Sequence, residues 1–338
     1  MKKIFLLTAL VVLLGVATAT AQQIAVVAED GETTVFHTFP DAIEGARDGS
    51  VIYLPGGAFP LADSVKITKR LTIIGIGHKS NNDNVDGVTT ISGNLWFNEG
   101  SSNSAIMGCY ITGNVNIGEG GASVNNVMVK CCNLNSVQVA NNTCNSVQII
   151  QNYIRNNSRF NGASGNFKNN VLHSLHGVNG GNISNNIITS NAVYNQRWGT
   201  NGWLYDYSAI GADNSYIYGN ILTNWSTGRL YDTPQSGSNC QVSNNMSNNN
   251  YGDNYINISG TDWNDIFVNY NNGAINPRSN FHFKEAYAQY EGRVGVYADG
   301  VDFDKQIAPV PYIVAKRIDE QTDASGHLGI KVRVKAGE

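Results

Sequence analysis

The sequence predicts an all-β solenoid, a chain wound into stacked coils of short strands, and three observations carry that prediction. One pattern recurs between residues 106 and 247: an apolar residue, two variable positions, an Asn or Cys, a further variable position, and usually a second apolar residue. It reads Ile106-Met-Gly-Cys109-Tyr-Ile111, Val129-Lys-Cys-Cys132-Asn-Leu134, Ile149-Ile-Gln-Asn152-Tyr-Ile154, Phe167-Lys-Asn-Asn170-Val-Leu172, Ile183-Ser-Asn-Asn186-Ile-Ile188, Ile217-Tyr-Gly-Asn220-Ile-Leu222 and Val242-Ser-Asn-Asn245-Met-Ser247. The keyed positions stand about 16 to 25 residues apart, with one gap of 34, which is one coil per copy. Helical repeats keep a nearly constant length, whereas strand coils lengthen freely at their turns. Composition agrees: Asn is about one residue in seven and Gly numbers 36, against 7 Pro and 14% charged residues, a turn-rich and helix-poor balance.

Asn at a fixed turn position suits such a coil, because it tolerates the left-handed backbone and its amide both donates and accepts. Strands about 4.8 Å apart bring these amides into a ladder. The apolar residues on either side are expected to point inward and stack, so that each coil buries its apolar row only against its neighbours.

The chain opens Met1-Lys2-Lys3, runs apolar from Ile4 to Val16 and reaches Ala19-Thr20-Ala21 before Gln22, the layout of a secretory leader over residues 1–21. The apolar run is too short for a transmembrane helix, so no membrane span is expected in the mature chain. The expected location is therefore the periplasm or the cell exterior. Loss of Lys2 and Lys3 takes the formal charge from -4 to about -6, and that mild acidity argues against nucleic acid as a partner. Cys109, Cys131, Cys132, Cys144 and Cys240 remain after the leader, an odd count. Cys109 and Cys132 stand where other coils carry Asn, which suits small buried groups; export also permits a bridge between adjacent coils.

Next, Thr38 can cap a short helix whose residues Phe39, Ala42, Ile43 and Ala46 form one apolar stripe, with Asp41 near its start. Val51-Ile-Tyr53-Leu-Pro55-Gly-Gly57 then gives a strand and turn, followed by Val65-Lys-Ile67 and Leu71-Thr-Ile73-Ile-Gly75-Ile-Gly77. On these residues the chain resembles the secreted proteins of the pectin-lyase-like fold. In that family an amphipathic helix closes the first coil, and a strand ending in Pro-Gly or Gly-Gly precedes a Leu-Thr-Ile-Ile-Gly strand. The resemblance implies a right-handed parallel β-helix with an N-terminal capping helix, spanning residues 22–280. Residues 281–338 are expected to supply a closing coil, including Asn280-Phe-His282-Phe-Lys284 and Gly295-Val-Tyr297, and a C-terminal β-hairpin cap. The strand Ile330-Lys-Val332-Arg-Val334-Lys335 alternates apolar and cationic residues, as an exposed edge does.

Chemistry is less legible. Members of the family include pectate lyases and polygalacturonases, and fold alone does not choose among them. The family's hydrolases carry an Asp-Asp pair and a Gly-His-Gly, and this chain has neither. From Gly120 to Tyr205 there is no Asp or Glu, yet Lys130, Arg155, Arg159, Lys168, His173, His176 and Arg197 fall there. Arg155 and His173 share one offset from the ladder Asn in successive coils, which stacks them on one outer face; Arg159 and His176 follow on the adjoining turns. Guanidinium groups bind carboxylates through paired hydrogen bonds, so an anionic polysaccharide fits this stretch. A lyase would need a base and a cation beside the uronate carboxyl, with Arg155 and His173 as the catalytic candidates. The same cations also suit a plain solvated face.

The gap between Asn186 and Asn220 holds Tyr194, Arg197, Trp198, Trp203, Tyr205, Asp206 and Tyr207, either within an extra coil or on a projecting loop. Trp225 and Arg229 follow one coil later. Trp and Tyr offer flat apolar faces on which sugar rings stack, or equally a loop core. Asn82-Asp-Asn84-Val-Asp86-Gly87 resembles a calcium loop but lacks the closing Glu, so no metal or other cofactor is expected. The leading expectation is polysaccharide binding without efficient catalysis; a uronate lyase and an adhesive rod are the alternatives.

Overall fold

The computed structural model describes residues 23–62, 64–79, 87–189, 192–199, 202–223, 232–248, 252–258, 262–270, 275–303, 312–318 and 330–335, the side chains of 192–207, 232–236, 312–318 and 330–335 excepted. The chain is a parallel β-helix. Among the described residues the coils contribute strands to three parallel ladders. The first ladder runs through Val51–Tyr53, Thr72–Ile74, Ala105–Met107, Met128–Lys130, Val147–Ile150 and Gly165–Lys168, then the C-terminal parts of Leu175–Ser184 and Gly202–Tyr218, and ends at Gln241–Ser243. The second has ten strands, from Gly57–Pro60 through Tyr153–Ile154 to Tyr255–Asn257. The third comprises Val65–Ile67, Leu95–Phe97, Val115–Ile117, Val137–Val139, Ser158–Arg159, the N-terminal part of Leu175–Ser184, the middle of Gly202–Tyr218, and Asp232–Ser236.

Both apolar positions of the repeat line the interior as expected. Ile73, Ile106, Val129, Ile149, Phe167, Ile183 and Ile217 stack along the first ladder, and Ile111, Leu134, Ile154, Leu172, Ile188 and Leu222 along the second, all fully buried. Between them runs the amide column. Asn152 donates from Nδ2 to Asn170 Oδ1 (3.0 Å), Asn170 to Asn186 (2.9 Å), Asn186 to Asn220 (2.9 Å) and Asn220 to Asn245 (2.9 Å). Each of these oxygens also accepts the backbone N–H of the preceding ladder Asn. The second N–H of Asn170 goes to Ile149 O at 2.8 Å, and the other ladder asparagines repeat that bond to the coil behind. Buried amides are thereby satisfied on every side.

Toward the N-terminus the column changes chemistry. Cys132 and Cys109 occupy it as thiols, donating to Lys130 O (3.2 Å) and Met107 O (3.4 Å), and all five cysteines are free. Burial pushes the Cys132 thiol up to about 12, so it stays protonated and remains a donor. The next position is Gly75, where an added Cβ would stand 2.7 Å from Cys109 Sγ and 2.5 Å from Gly108 O; only a bare backbone fits. The left-handed backbone belongs to the residue before the column, not to the ladder Asn itself: Gly108, Cys131, Gln151, Asn169, Asn185, Gly219 and Asn244 have φ between 50° and 68°. The ladder Asn is therefore selected for its amide alone.

At the N-terminal end, Ile24–Val27 pairs antiparallel with both Thr33–Phe36 and Val51–Tyr53. Helix Phe39–Gly45 covers the first coil, its N-terminus capped by Thr38 Oγ1 on Asp41 N (3.2 Å). Lys69 closes its other end, donating to the carbonyls of Glu44 (2.6 Å) and Ala46 (2.7 Å).

The segment expected as a closing coil does something different. Residues 262–270 and 275–303 run back along the outside of the solenoid as a strap over the second ladder. The outward residues there, Tyr153, Val171, Ile187, Ile221 and Met246, are apolar and buried beneath Trp263, Ile266, Phe267, Phe281, Phe283, Val296 and Phe303. Asn169 Nδ2 donates to Val296 O (3.0 Å), Gly295 N to Gly219 O (2.8 Å), and Lys168 pairs with Asp299 (2.9 Å). A Cβ at Gly295, whose φ is +76°, would lie 2.6 Å from Ile221 Cδ1. Tyr312–Ile318 and Ile330–Lys335 form the expected antiparallel hairpin.

Candidate functional site

The third ladder presents a continuous outer row. In Leu95–Phe97 the flanking residues face the core, which turns Trp96 outward. Register then sets Lys66, Trp96, Asn116, Gln138, Arg159 and His176 side by side in successive coils. Such neighbours stand about 4.8 Å apart. Arg159 and Lys66 are exposed and Trp96 and Gln138 half-buried, whereas Asn116 and His176 are covered although they face outward. The Gln138 amide is set by donation to Ser136 Oγ (3.0 Å) and Asn157 O (2.9 Å), leaving its oxygen as acceptor.

At the N-terminal end of the row, Lys66 pairs with Glu119 at 3.2 Å. Beside that pair lies an open polar cleft of about 620 Å³ lined by Thr68, Asn98, Glu99, Glu119 and the Gly120–Gly121 turn. That volume suits a saccharide-sized group. Toward the other end, His176 is driven down to about 4, first by burial and then by the charges of Arg159 and His173. Burial also lowers His173, whose Nδ1 is enclosed with no hydrogen-bond partner among the described residues. Both imidazoles are therefore neutral at pH 7, His176 beside the Arg159 guanidinium.

Arg155 and His173 do hold equivalent turn positions, their backbone N–H groups donating to Leu134 O and Ile154 O of the preceding coils. Their side chains part company. The Arg155 guanidinium reaches back over Tyr110, 4.9 Å from the ring centroid, and donates to Asn133 Oδ1 (3.0 Å), Ile111 O (3.1 Å) and Thr112 O (3.2 Å). It clamps three coils together and commits three of its five N–H donors.

The long gap in the repeat is a projecting hairpin. Ala192–Gly199 and the start of Gly202–Tyr218 pair antiparallel, with Trp198 opposite Trp203, Arg197 opposite Leu204, Gln196 opposite Tyr205 and Asn195 opposite Asp206. The second strand continues into the third ladder, where Gly211 neighbours His176. The hairpin that carries Tyr194, Trp198 and Trp203 thus grows out of the same ladder as Arg159 and His176. The side chains of Tyr194, Arg197, Trp198, Trp203, Tyr205 and Asp206, and Trp225 and Arg229 altogether, lie outside the described residues, as do residues 1–21 and the loop at Asn82–Asp86. Sequence reasoning missed Trp96, Asn116 and Gln138, each of which stands between two buried apolar residues in its own strand, a pattern the later third-ladder strands do not keep.

Among the described residues no three His, Cys, Asp or Glu side chains converge as a metal site would require, and no helix is long and apolar enough to cross a membrane. No family model, no curated protein and no solved structure matches the chain.

Proposed function

We propose that this is an exported β-helix protein that binds polysaccharide without efficient catalysis, a relative of the pectin-lyase-like proteins in architecture. The observation that carries the reading is the outer row of the third ladder. It sets a flat indole, two amides and a guanidinium at the period of the coils, with a saccharide-sized cleft at one end and an aromatic hairpin at the other. An indole face takes the C–H side of a sugar ring, amides take hydroxyls, and Arg159 takes a carboxylate. The leader over residues 1–21 supports export.

Affinity electrophoresis through gels containing polygalacturonate or alginate tests the reading. The wild-type chain is expected to be retarded, and Trp96→Ala or Arg159→Ala to lose at least tenfold in apparent affinity. Free migration of the wild type in every uronate gel rejects it.

One observation favours the lyase as a second reading: His176, in register with Arg159, is held neutral beside its guanidinium. A neutral imidazole can accept the proton beside a uronate carboxyl while a guanidinium neutralises the developing charge. Ultraviolet absorbance of unsaturated products, followed on the same polymers, decides it; a flat trace across pH and calcium conditions removes it.

A further inference from the structure

A second surface stands apart from the third-ladder row. At the end of strand Gly202–Tyr218, Ser215 and Ile217 face the core, which turns Tyr216 and Tyr218 outward on the first ladder. Tyr216 is 53% exposed and Tyr218 37%, among the most exposed large apolar side chains of the described residues. Residues two apart on a pleated strand stand roughly 7 Å from each other on one face. The rings therefore form a shared platform.

Register fills in what surrounds them. Tyr216 lies between Asn182 and Gln241 of the adjacent coils, and Tyr218 between Ser184 and Ser243. Asn182, Gln241 and Ser243 are exposed. Along the turn that feeds these strands runs another amide column: Asn214 donates to Asn179 (2.8 Å) and Asn239 to Asn214 (3.2 Å), all in exposed positions. Unlike the buried column, each amide here keeps an N–H and a lone pair for solvent.

Charge decides the class of ligand. Lys168, beside Ser184 in register, is paired with Asp299 at 2.9 Å, and Asp213 accepts from Ser238 N and Oγ. The platform thus presents aromatic faces, amides and hydroxyls, with Lys168 paired and the Asp213 carboxylate, hydrogen-bonded by Ser238, as the residual charge beside it. Among the described residues the cation nearest in register, Lys168, is already paired, and the Asp213 carboxylate repels a polyanion. Sugar rings find apolar faces to lie on and paired donors and acceptors for their hydroxyls.

From this geometry we infer that the first ladder carries a second binding face, around Tyr216 and Tyr218, for an uncharged polysaccharide. It is independent of the third-ladder site, and together the two faces make the protein a bridge between a neutral and an acidic glycan.

Affinity electrophoresis of the full chain in gels containing xylan, galactomannan or hydroxyethyl cellulose tests the inference. The wild type is expected to be retarded in at least one of them. Tyr216→Ala/Tyr218→Ala should lose tenfold or more there while changing less than twofold in the uronate gels, and Trp96→Ala/Arg159→Ala should show the reverse. Tyr216→Phe/Tyr218→Phe, which keeps the ring faces, should retain at least half the affinity, and thermal melts within a few degrees of wild type exclude misfolding. Free migration of the wild type in all three neutral gels, or unchanged retardation of the Ala variant, overturns it. Neither result bears on the uronate arm.

Discussion

Asn170 donates to Asn186 Oδ1 at 2.9 Å, while its own oxygen accepts both the backbone N–H and the side-chain N–H of Asn152. Asn170→Ala deletes every one of these bonds and also the one to Ile149 O. Unsatisfied buried groups cost roughly 1 to 3 kcal/mol each, so an overall loss of about 4 kcal/mol is expected in urea unfolding. Asn170→Cys should lose less, because Cys132 shows that a thiol donor is accommodated in the column. Equal losses for both variants would refute the view that hydrogen bonding, rather than volume, selects Asn there.

Acid should weaken the fold through two histidines. His78 is buried, donating from Nδ1 to Cys131 O at 2.8 Å, with Nε2 enclosed and without a hydrogen-bond partner among the described residues; burial drives it from 6.5 to about 4, as it does His176. Between those values the unfolded chain binds more protons than the folded one, so stability is intact above pH 6.5 and falls as pH drops toward 4. The loss is on the order of 3 kcal/mol per group when complete. His78→Asn keeps a donor for Cys131 O and removes the titration. Melting temperatures from pH 7 to 4.5 should fall less steeply for that variant than for wild type.

The strap is held by its rings rather than by its ion pair. Phe267 is fully buried, stacked on Trp263 (5.6 Å between centroids) and packed against Phe281 and Phe283 (5.7 and 5.3 Å). Phe267→Ala should cost about 3 to 5 kcal/mol, with early proteolysis near residues 275–303. Lys168 and Asp299 are 43% and 56% exposed, so Lys168→Ala should cost less than about 1 kcal/mol. The comparison is made by denaturation and limited proteolysis on the same samples.

What was legible in the sequence follows from what repeats. The column from Cys109 to Asn245 and the apolar residues on either side recur in every coil, so they announced both architecture and interior. The strap was hidden because its signal is a contrast between coils. The residue after the column is Asn in Asn133 but apolar in Tyr153, Val171, Ile187, Ile221 and Met246; apolar residues in both strand positions mean that both faces of that ladder are covered. The third-ladder strands carry no fixed marker, so Trp96 could not be aligned with Gln138 and Arg159 before the register was known. Arg155 was placed on the right turn, but a side chain that long goes where carbonyls await it.

That destination makes the last prediction. The Arg155 guanidinium serves Asn133, Ile111 and Thr112 and covers the face of Tyr110, so its removal takes donors from two part-buried acceptors and one exposed one in two other coils. Arg155→Ala should lower stability by about 2 kcal/mol, charge-assisted bonds being stronger than neutral ones. Arg155→Lys should recover only part, since an ammonium lacks the planar fork that reaches several oxygens at once. At a temperature where all forms are folded, neither variant should change retardation in uronate gels by more than twofold, in contrast to Arg159→Ala. A tenfold loss of retardation in Arg155→Ala at an unaltered melting temperature would reassign this guanidinium from the coil clamp to the binding face.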